Sequence, residues 1–447
     1  MLMWVAFFNR YPLLSPDSLD YIKQGSRIIT ASQVPRSAFT AGMTARAEIY
    51  CLALLPLHWN RTPWPILAAQ SLLASYVIWL IVRCVAGRGH RAIFPPVIVL
   101  LSALTSISWF ASSVAPDILG SLVYLSMYLL LFEDENLTGL HRWAVSAVMF
   151  LGIVSHTTHI LLSMGVAAIF TLLVILRWAP MRGYGPRILK VTAIIAFGVL
   201  SQVMLHGYLY GKLSLSGQHP PYLTARLVAD GPARLYLQQH CQASSWVICK
   251  RVSDLPRNSD EFLWLPTGVW QAATMQDKEQ MLREETPLLI ATLRTYPRAQ
   301  FHRSLDNFGE QFLQYRLSDF MSNAFVRETA DSIMPGAGAR YVAGRQWHDS
   351  LPALSATRIE VKVVSWSAVA LVPLLIWAGL KRRSRMLALA ITILPTLVLN
   401  ALICGVLSEV ANRYQARIIW LVPFLAIVLI LDALTSFRAP AGKELRS

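Results

Sequence analysis

Charged side chains are scarce in this sequence, and acidic ones are the fewest. Charged residues make up 15% of the 447 residues and hydrophobic ones 55%, with a mean hydropathy of +0.45. A soluble chain of this length would form about two or three domains with charged surfaces. The formal net charge of +15 does not come with the basic stripe and interleaved aromatics that favour nucleic-acid binding. The composition therefore excludes an ordinary soluble protein and predicts no nucleic-acid partner.

Strands of alternating polarity, internal repeats and a Gly-rich nucleotide loop are also missing. A transmembrane β-barrel would need such strands, each of about ten residues. The apolar residues form blocks of about 17–22 instead, the length with which a helix crosses a hydrocarbon core of roughly 30 Å. Lipid offers no hydrogen-bond partners to backbone N–H and C=O groups, so an apolar block of this length must bond them within a helix. The sequence therefore predicts an all-α polytopic membrane protein with about 9–11 transmembrane helices.

Most of these spans can be assigned from the apolar blocks. The clearest are 65–82, 92–112, 118–132, 191–206, 363–380, 386–407 and 417–434. Residues 143–178 are long enough for two short or broken spans, hinged near 155–159. Residues 1–8 look like the tail of a first span that is too short to cross. They lack the basic start and small-residue cleavage site of a signal peptide.

Basic residues in short loops predict the orientation, because such loops stay cytoplasmic. They are Arg83, Arg88 and Arg91; Arg177, Arg182, Arg187 and Lys190; Lys381, Arg382, Arg383 and Arg385; and Arg438, Lys443 and Arg446. The loop 133–142 should also lie inside. The connections 9–63, 113–117, 156–159, 208–362 and 408–416 then face outward. We expect a multi-pass protein of the bacterial inner membrane, in contact with the lipid bilayer.

The long outward segment predicts a three-part organisation. Residues 1–207 form an N-terminal transmembrane module with the first periplasmic loop, and residues 363–447 form a C-terminal transmembrane module. Residues 208–362 form an inserted periplasmic domain of mixed helix and loop. Cys241 and Cys249 lie close in sequence within it, and an oxidising periplasm favours a disulfide between them.

The first candidate site is Ser15-Pro16-Asp17-Ser18-Leu19-Asp20. Pro16 can begin a helix with Ser15 as its cap, and Asp17 and Asp20 then share one face. Two such carboxylates can share a proton, divide into a base and a positioner, or hold a divalent cation such as Mg²⁺ or Mn²⁺. The alternative is that Asp17 only stabilises the helix N-terminus.

Two further clusters lie at predicted outer ends of spans. Asp117 follows Pro116, and a carboxylate at the edge of the hydrocarbon is a functional candidate or a helix cap. His156 and His159 stand three apart in an apolar stretch. They can hydrogen-bond a phosphate or an aspartate, or serve as polar packing at a helix break. A zinc site needs three or four protein ligands, and these two histidines would supply only two of them.

The last cluster combines Glu409, Arg413 and Tyr414 in the final outward loop, with Arg417 directly after it. Arg suits the bidentate binding of a phosphate. The alternative is an interfacial Arg-Tyr anchor. Tryptophans and carboxylates in 208–362 can bind carbohydrate, although each Trp is more typical of a domain core.

The order of these clusters resembles the GT-C superfamily of integral-membrane glycosyltransferases, which includes protein O-mannosyltransferases and aminoarabinose transferases. The resemblance rests on an acidic first outer loop, a second outer Asp, a His-containing break and a late Arg-Tyr before a Pro-containing span. It implies a polyprenyl-phosphate-linked sugar as donor. Two features depart from the family: the first span is truncated, and the large domain lies between spans.

The resemblance also implies roles for individual residues. Asp17, or else Asp20, would be the catalytic base or a metal-linked carboxylate, and Asp117 the second acidic position. His156, His159 and Arg413 would hold the carrier phosphate. The leading hypothesis is transfer of a sugar from the carrier to a hydroxyl of an unidentified glycan, lipid or protein acceptor. A transporter or flippase of a lipid-linked saccharide, and an envelope scaffold protein, are the alternatives.

Overall fold

A computed structural model describes residues 1–30, 46–176, 183–211, 213–215 and 219–438. These residues form α-helices and connecting segments, with no β-strand among them. The helices up to residue 211 are α1 Trp4–Asn9, α2 Pro16–Thr30, α3 Glu48–His58, α4 Trp64–Ala86, α5 His90–Leu104, α6 Ile107–Ala111, α7 Asp117–Phe132, α8 Gly139–Val154, α9 Thr157–Ile175 and α10 Gly185–Tyr210.

The described helices after residue 211 range in length from 6 to 28 residues. They are α11 Tyr222–Asp230, α12 Pro232–His240, α13 Ser259–Trp264, α14 Met275–Thr295, α15 Pro297–Leu313, α16 Ala324–Ile333, α17 Ala337–Val342, α18 Ala353–Leu380, α19 Ser384–Leu407, α20 Asn412–Ile419 and α21 Leu421–Arg438. The all-helical class predicted from the sequence is confirmed for the described residues.

Six helical stretches in the described part are long and apolar enough to cross a membrane. They are Trp64–Leu104, Thr157–Ile175, Gly185–Tyr210, Ala353–Leu380, Ser384–Leu407 and Asn412–Ser436. A multispanning membrane protein accounts for them. The expected number of about 9–11 spans stays a prediction, because three further apolar helices, Glu48–His58, Asp117–Phe132 and Gly139–Val154, are shorter.

Helix α7 is an apolar helix whose surroundings cannot be read from its own sequence. Every residue from Ile118 to Phe132 is buried, so protein rather than lipid surrounds this 16-residue helix. A helix packed on all sides can be shorter than the bilayer, since its neighbours satisfy its ends. The predicted hinge after α8 is also present: α8 ends at Val154, and His156 caps the N-terminus of α9.

The basic loops gather at one end of the helical bundle. Asp134 lies 3.2 Å from Lys190 and 3.3 Å from Arg142, and Glu133 lies 3.6 Å from Arg385. Asp117 starts α7 and Glu133 follows its last residue, so these ion pairs lie at the opposite end of α7 from Asp117. Residues Arg177, Arg182, Lys443 and Arg446 lie outside the described residues.

The segment between α10 and α18 packs in two parts. One has a small core of its own, built from Ala225, Leu227, Val228, Ala233, Leu237, Ile248, Phe262, Leu263, Val269, Met281 and Leu288. We call it the satellite core. The disulfide Cys241–Cys249 lies beside it, as predicted. The other part, including Val326 and Tyr341, joins the main core of the bundle. The domain boundaries 208 and 362 stay predictions.

Candidate functional site

Backbone pairing brings the two early acidic loops together. The Leu13 N–H donates to the Ser112 carbonyl at 2.9 Å, and the Val114 N–H donates to the Leu13 carbonyl at 3.2 Å. The Gln346 side chain bonds both backbone groups of Leu14, at 3.1 and 2.8 Å. The chain after Leu14 is therefore held beside the chain before Asp117, and the carboxylates that follow in each loop lie near each other.

Asp17 is the centre of this site. Ser15 Oγ accepts from the Ser18 N–H at 3.3 Å, so Ser15 and Pro16 begin α2 as the sequence predicts, and Asp17 lies in the first turn. Its Oδ1 accepts from Arg46 at 2.5 Å and its Oδ2 from Arg413 at 2.8 Å. The ion pair with Arg413 joins the start of α2 to the start of α20, 396 residues away in sequence.

Asp20 shares one of these cations. Its Oδ2 lies 3.1 Å from the same Arg46 nitrogen that contacts Asp17, and the guanidinium lies 5.6 Å from the centre of the Tyr21 ring. Arg46 thus holds the two carboxylates of the α2 face together. No motif in the sequence marks Arg46, because nothing local distinguishes this Arg from the others in the loop.

The two carboxyls differ in acidity. Burial opposes ionisation of Asp17, but the charges of Arg46 and Arg413 outweigh it and lower the pKa of Asp17. For Asp20 burial is the larger effect, and with the negative charge of Asp17 it raises the pKa above its ordinary value despite Arg46. Neighbouring carboxyls with divergent pKa values are typical of sites that divide proton-transfer roles. Asp17 is the carboxyl held as an anion.

Asp117 pairs with a different cation, Arg417. Their nearest atoms are 3.2 Å apart, and the Arg417 side chain is only 1% exposed. Arg417 also donates to Asn400 at 3.2 Å. Tyr414 lies between the two late arginines, with the guanidiniums of Arg413 and Arg417 each 5.2 Å from its ring centre. Helix α20 therefore supplies one cation to each early carboxylate cluster.

His156 lies at the edge of this cluster. Its Nδ1 accepts from the Thr158 N–H at 3.2 Å, and Thr158 in turn lies 3.4 Å from Arg417. Burial, together with His159 and the neighbouring arginines, lowers the pKa of His156 well below its ordinary value. Its ring is therefore neutral, and it can contact a phosphate through a hydrogen bond rather than as a cation.

His159 is withdrawn into the bundle. It is fully buried, and its Nδ1 lies 2.9 Å from the Gly152 carbonyl and 3.2 Å from Ser155 Oγ. Its Nε2 has no hydrogen-bond partner among the described residues and lies against Gly120. The two histidines therefore have different surroundings. His156 borders the acidic cluster, whereas His159 packs at the helix break.

Glu409 lies between the site and the satellite core. Its carboxyl faces that of Asp260 on α13, and burial together with this neighbour raises the pKa of Glu409 to about 8. The charges of Arg226 and Arg413 act in the opposite direction. Glu409 is therefore largely protonated at neutral pH and can donate a hydrogen bond.

Two residues from the segment between α10 and α18 also reach the site. Asp319 interacts electrostatically with Arg413 and Asp117, and Tyr222 with Arg46, Asp17 and Tyr414. Both lie in a part of the sequence that contains many polar residues, so their spacing carries no signal. These two residues show that this segment contributes to the cluster around Asp17 and Asp117.

The carboxylates of this site are paired with arginines, and the divalent cation expected from the sequence stays a prediction. Asp17 and Asp20 are already neutralised by arginines, and the described residues contain no group of three His, Cys, Asp or Glu side chains placed to ligate one ion. The three cations Arg46, Arg413 and Arg417 balance the three anions Asp17, Asp20 and Asp117. An anionic ligand can bind here if one of these arginines exchanges its carboxylate partner for the ligand.

No protein-family model, curated protein or solved structure matches this chain.

Proposed function

We propose that this chain is a membrane glycosyltransferase that moves a sugar from a polyprenyl-phosphate carrier to an acceptor hydroxyl. The reaction takes place at the outer face of the bacterial inner membrane, with 208–362 in the periplasm. One observation carries the proposal. Asp17, in the first turn of α2, is ion-paired to Arg413, in the first turn of α20, at the end of the bundle opposite the basic loops. A base and a phosphate-binding cation are the two groups that the reaction requires.

The ion pair gives a route by which donor binding activates the base. In the free protein two arginines hold Asp17 as a weakly basic carboxylate. A carrier phosphate attracts Arg413, the more exposed of the two, since its side chain is 35% exposed and that of Arg46 14%. Asp17 then keeps only Arg46, which it shares with Asp20. Loss of one cation raises the proton affinity of the carboxylate.

The chemical step follows from this exchange of partners. The acceptor oxygen bonds to the anomeric carbon of the sugar, and the bond from that carbon to the phosphate oxygen breaks. Asp17 takes the acceptor proton, and polyprenyl phosphate leaves with its added charge facing Arg413. His156 is placed to hydrogen-bond the phosphate as a neutral ring. Stabilising the charge that develops on the leaving group is a large contribution to catalysis.

The test is sugar transfer by the full-length protein in lipid nanodiscs. Radiolabelled undecaprenyl-phosphate glucose, mannose and aminoarabinose serve as donors, and an envelope extract serves as acceptor. We expect transfer by the wild type and its loss in Asp17→Asn, at unchanged amounts of folded protein. Asp254→Asn is the matched control, because that carboxylate is 65% exposed beside the satellite core.

Each outcome separates the hypotheses. Transfer retained in Asp17→Asn would remove Asp17 from the mechanism. Failure of the wild type to transfer any of the three sugars would contradict the glycosyltransferase. Movement of the labelled lipids across proteoliposomes without transfer would identify a transporter.

A further inference from the structure

Helix α15, Pro297–Leu313, has three amide side chains facing inward. Gln300 and Asn307 donate to the carboxylate of Asp230 at 2.8 and 3.0 Å. Gln311 exchanges two hydrogen bonds with the backbone of Ala411, each 2.9 Å long. All three side chains are buried. The residues that normally face water on a surface helix are here the ones that attach it to the protein.

The apolar residues of α15 form a second stripe, which is exposed at one end. Phe301, Leu305, Phe308 and Phe312 follow one another at the spacing of three or four residues that places them on one side of a helix. Phe301 is 66% exposed and Leu305 is 55% exposed. At the other end of the stripe, Phe312 packs against the main core. A third side carries Arg303, Asp306 and Glu310, all exposed.

The position of α15 beside a candidate span indicates what contacts its exposed apolar stripe. α15 crosses the candidate span α19 in direct contact, because a Cβ atom on Gly405 would lie 2.7 Å from the Asn307 carbonyl oxygen. Near this crossing the span exposes Val398, Leu402 and Leu407, side chains that a membrane would cover. The apolar stripe therefore belongs to a helix in direct contact with a candidate span that has exposed apolar side chains, and the charged side of α15 lies opposite that stripe.

We propose that α15 lies in the headgroup region of the bilayer, with Phe301 and Leu305 in contact with acyl chains. A helix with an apolar side, a charged side and low overall hydrophobicity is typical of this location. The segment 208–362 is then attached to the membrane along α15 rather than standing clear of it. This inference does not depend on the proposed function. It places a lipid-contacting helix beside Ala411, two residues before Arg413.

Spin labels on α15 test the location directly. Single cysteines are introduced by Phe301→Cys, Leu305→Cys and Asp306→Cys in the full-length protein with Cys84→Ser, and labelled in lipid nanodiscs. Collision rates are measured with oxygen, which concentrates in lipid, and with a water-soluble nickel chelate. Asp306 is the matched control on the charged side of the same helix. Trp366→Cys, on the exposed surface of α18, marks the response of a lipid-facing site.

We expect the labels at 301 and 305 to collide several-fold more often with oxygen than with the chelate, as at 366. The label at 306 should show the reverse. Chelate collisions exceeding oxygen collisions at 301 and 305 would place the stripe in water and overturn the proposal. Low rates with both reagents would show that a protein partner or a second copy covers the stripe, which would overturn it equally. All four positions are exposed, and size-exclusion profiles verify that the labelled proteins are folded.

Discussion

The ion pair of Asp117 with Arg417 allows a quantitative prediction that is independent of any activity. Arg417 is 1% exposed and Asp117 13%, and Asn400 accepts a further hydrogen bond from the guanidinium. Asp117→Asn keeps the shape of the side chain but leaves a buried cation without its counter-ion. Removing one partner of a buried ion pair costs about 3–5 kcal/mol. We expect a loss of about 3 kcal/mol in the free energy of unfolding, at the lower end because Asn400 stays in place.

A double-mutant cycle isolates the pair. Arg417→Met replaces the cation by an apolar side chain that can fill the same space, and in Asp117→Asn with Arg417→Met neither charge is left unpaired. The double variant should therefore be more stable than the sum of the single losses implies, by about 2 kcal/mol. Unfolding is followed by circular dichroism during titration of mixed micelles with sodium dodecyl sulfate.

The pair of Asp17 with Arg413 is the matched comparison. Its side chains are 21% and 35% exposed, so its coupling should be about 1 kcal/mol or less. Additive losses in the Asp117–Arg417 cycle would refute the counter-ion role of Asp117. So would a loss below about 1 kcal/mol in Asp117→Asn. Either result would return Asp117 to the candidates for direct catalysis.

Two further predictions concern the satellite core and its contact with the site. Because burial and the Asp260 carboxyl raise the pKa of Glu409 to about 8, the folded state binds more protons than the unfolded one between about pH 4.5 and 8. Stability from this group should be fully present below that window and decline as pH rises through it. In Glu409→Gln the thermal midpoint should no longer decrease between about pH 4.5 and 8. A pH profile unchanged from the wild type would contradict the raised pKa of Glu409. Cys241→Ser with Cys249→Ser opens a loop closed across 8 positions, which should cost about 2–3 kcal/mol. Proteolysis near the satellite core should then accelerate, and an unaltered cleavage rate would disprove that contribution.

Local features of the sequence predicted the local features of the structure. The apolar blocks predicted the six long apolar helical stretches of the described residues, because hydrophobicity over about twenty residues needs no knowledge of neighbours. Ser15-Pro16 and Pro116-Asp117 predicted two helix starts, and the polar residues around His156 predicted a break between helices. The helix starts and the break each depend on residues within one or two helical turns. The same holds for Cys241 and Cys249, which lie close enough in the chain for their pairing to be inferred.

Only the tertiary structure decided which charges meet. The partner of Asp17 is 396 residues away and that of Asp117 is 300 residues away, and no pattern in the sequence specifies such distant pairs. It also separated His159, held inside the bundle, from His156 at the site, although both belong to one short motif. Arg46, which no motif marked, proved to join Asp17 and Asp20. Hydrophobic spans and helix caps are set by nearby residues, whereas ion-pair partners are set by how the completed bundle brings its loops together.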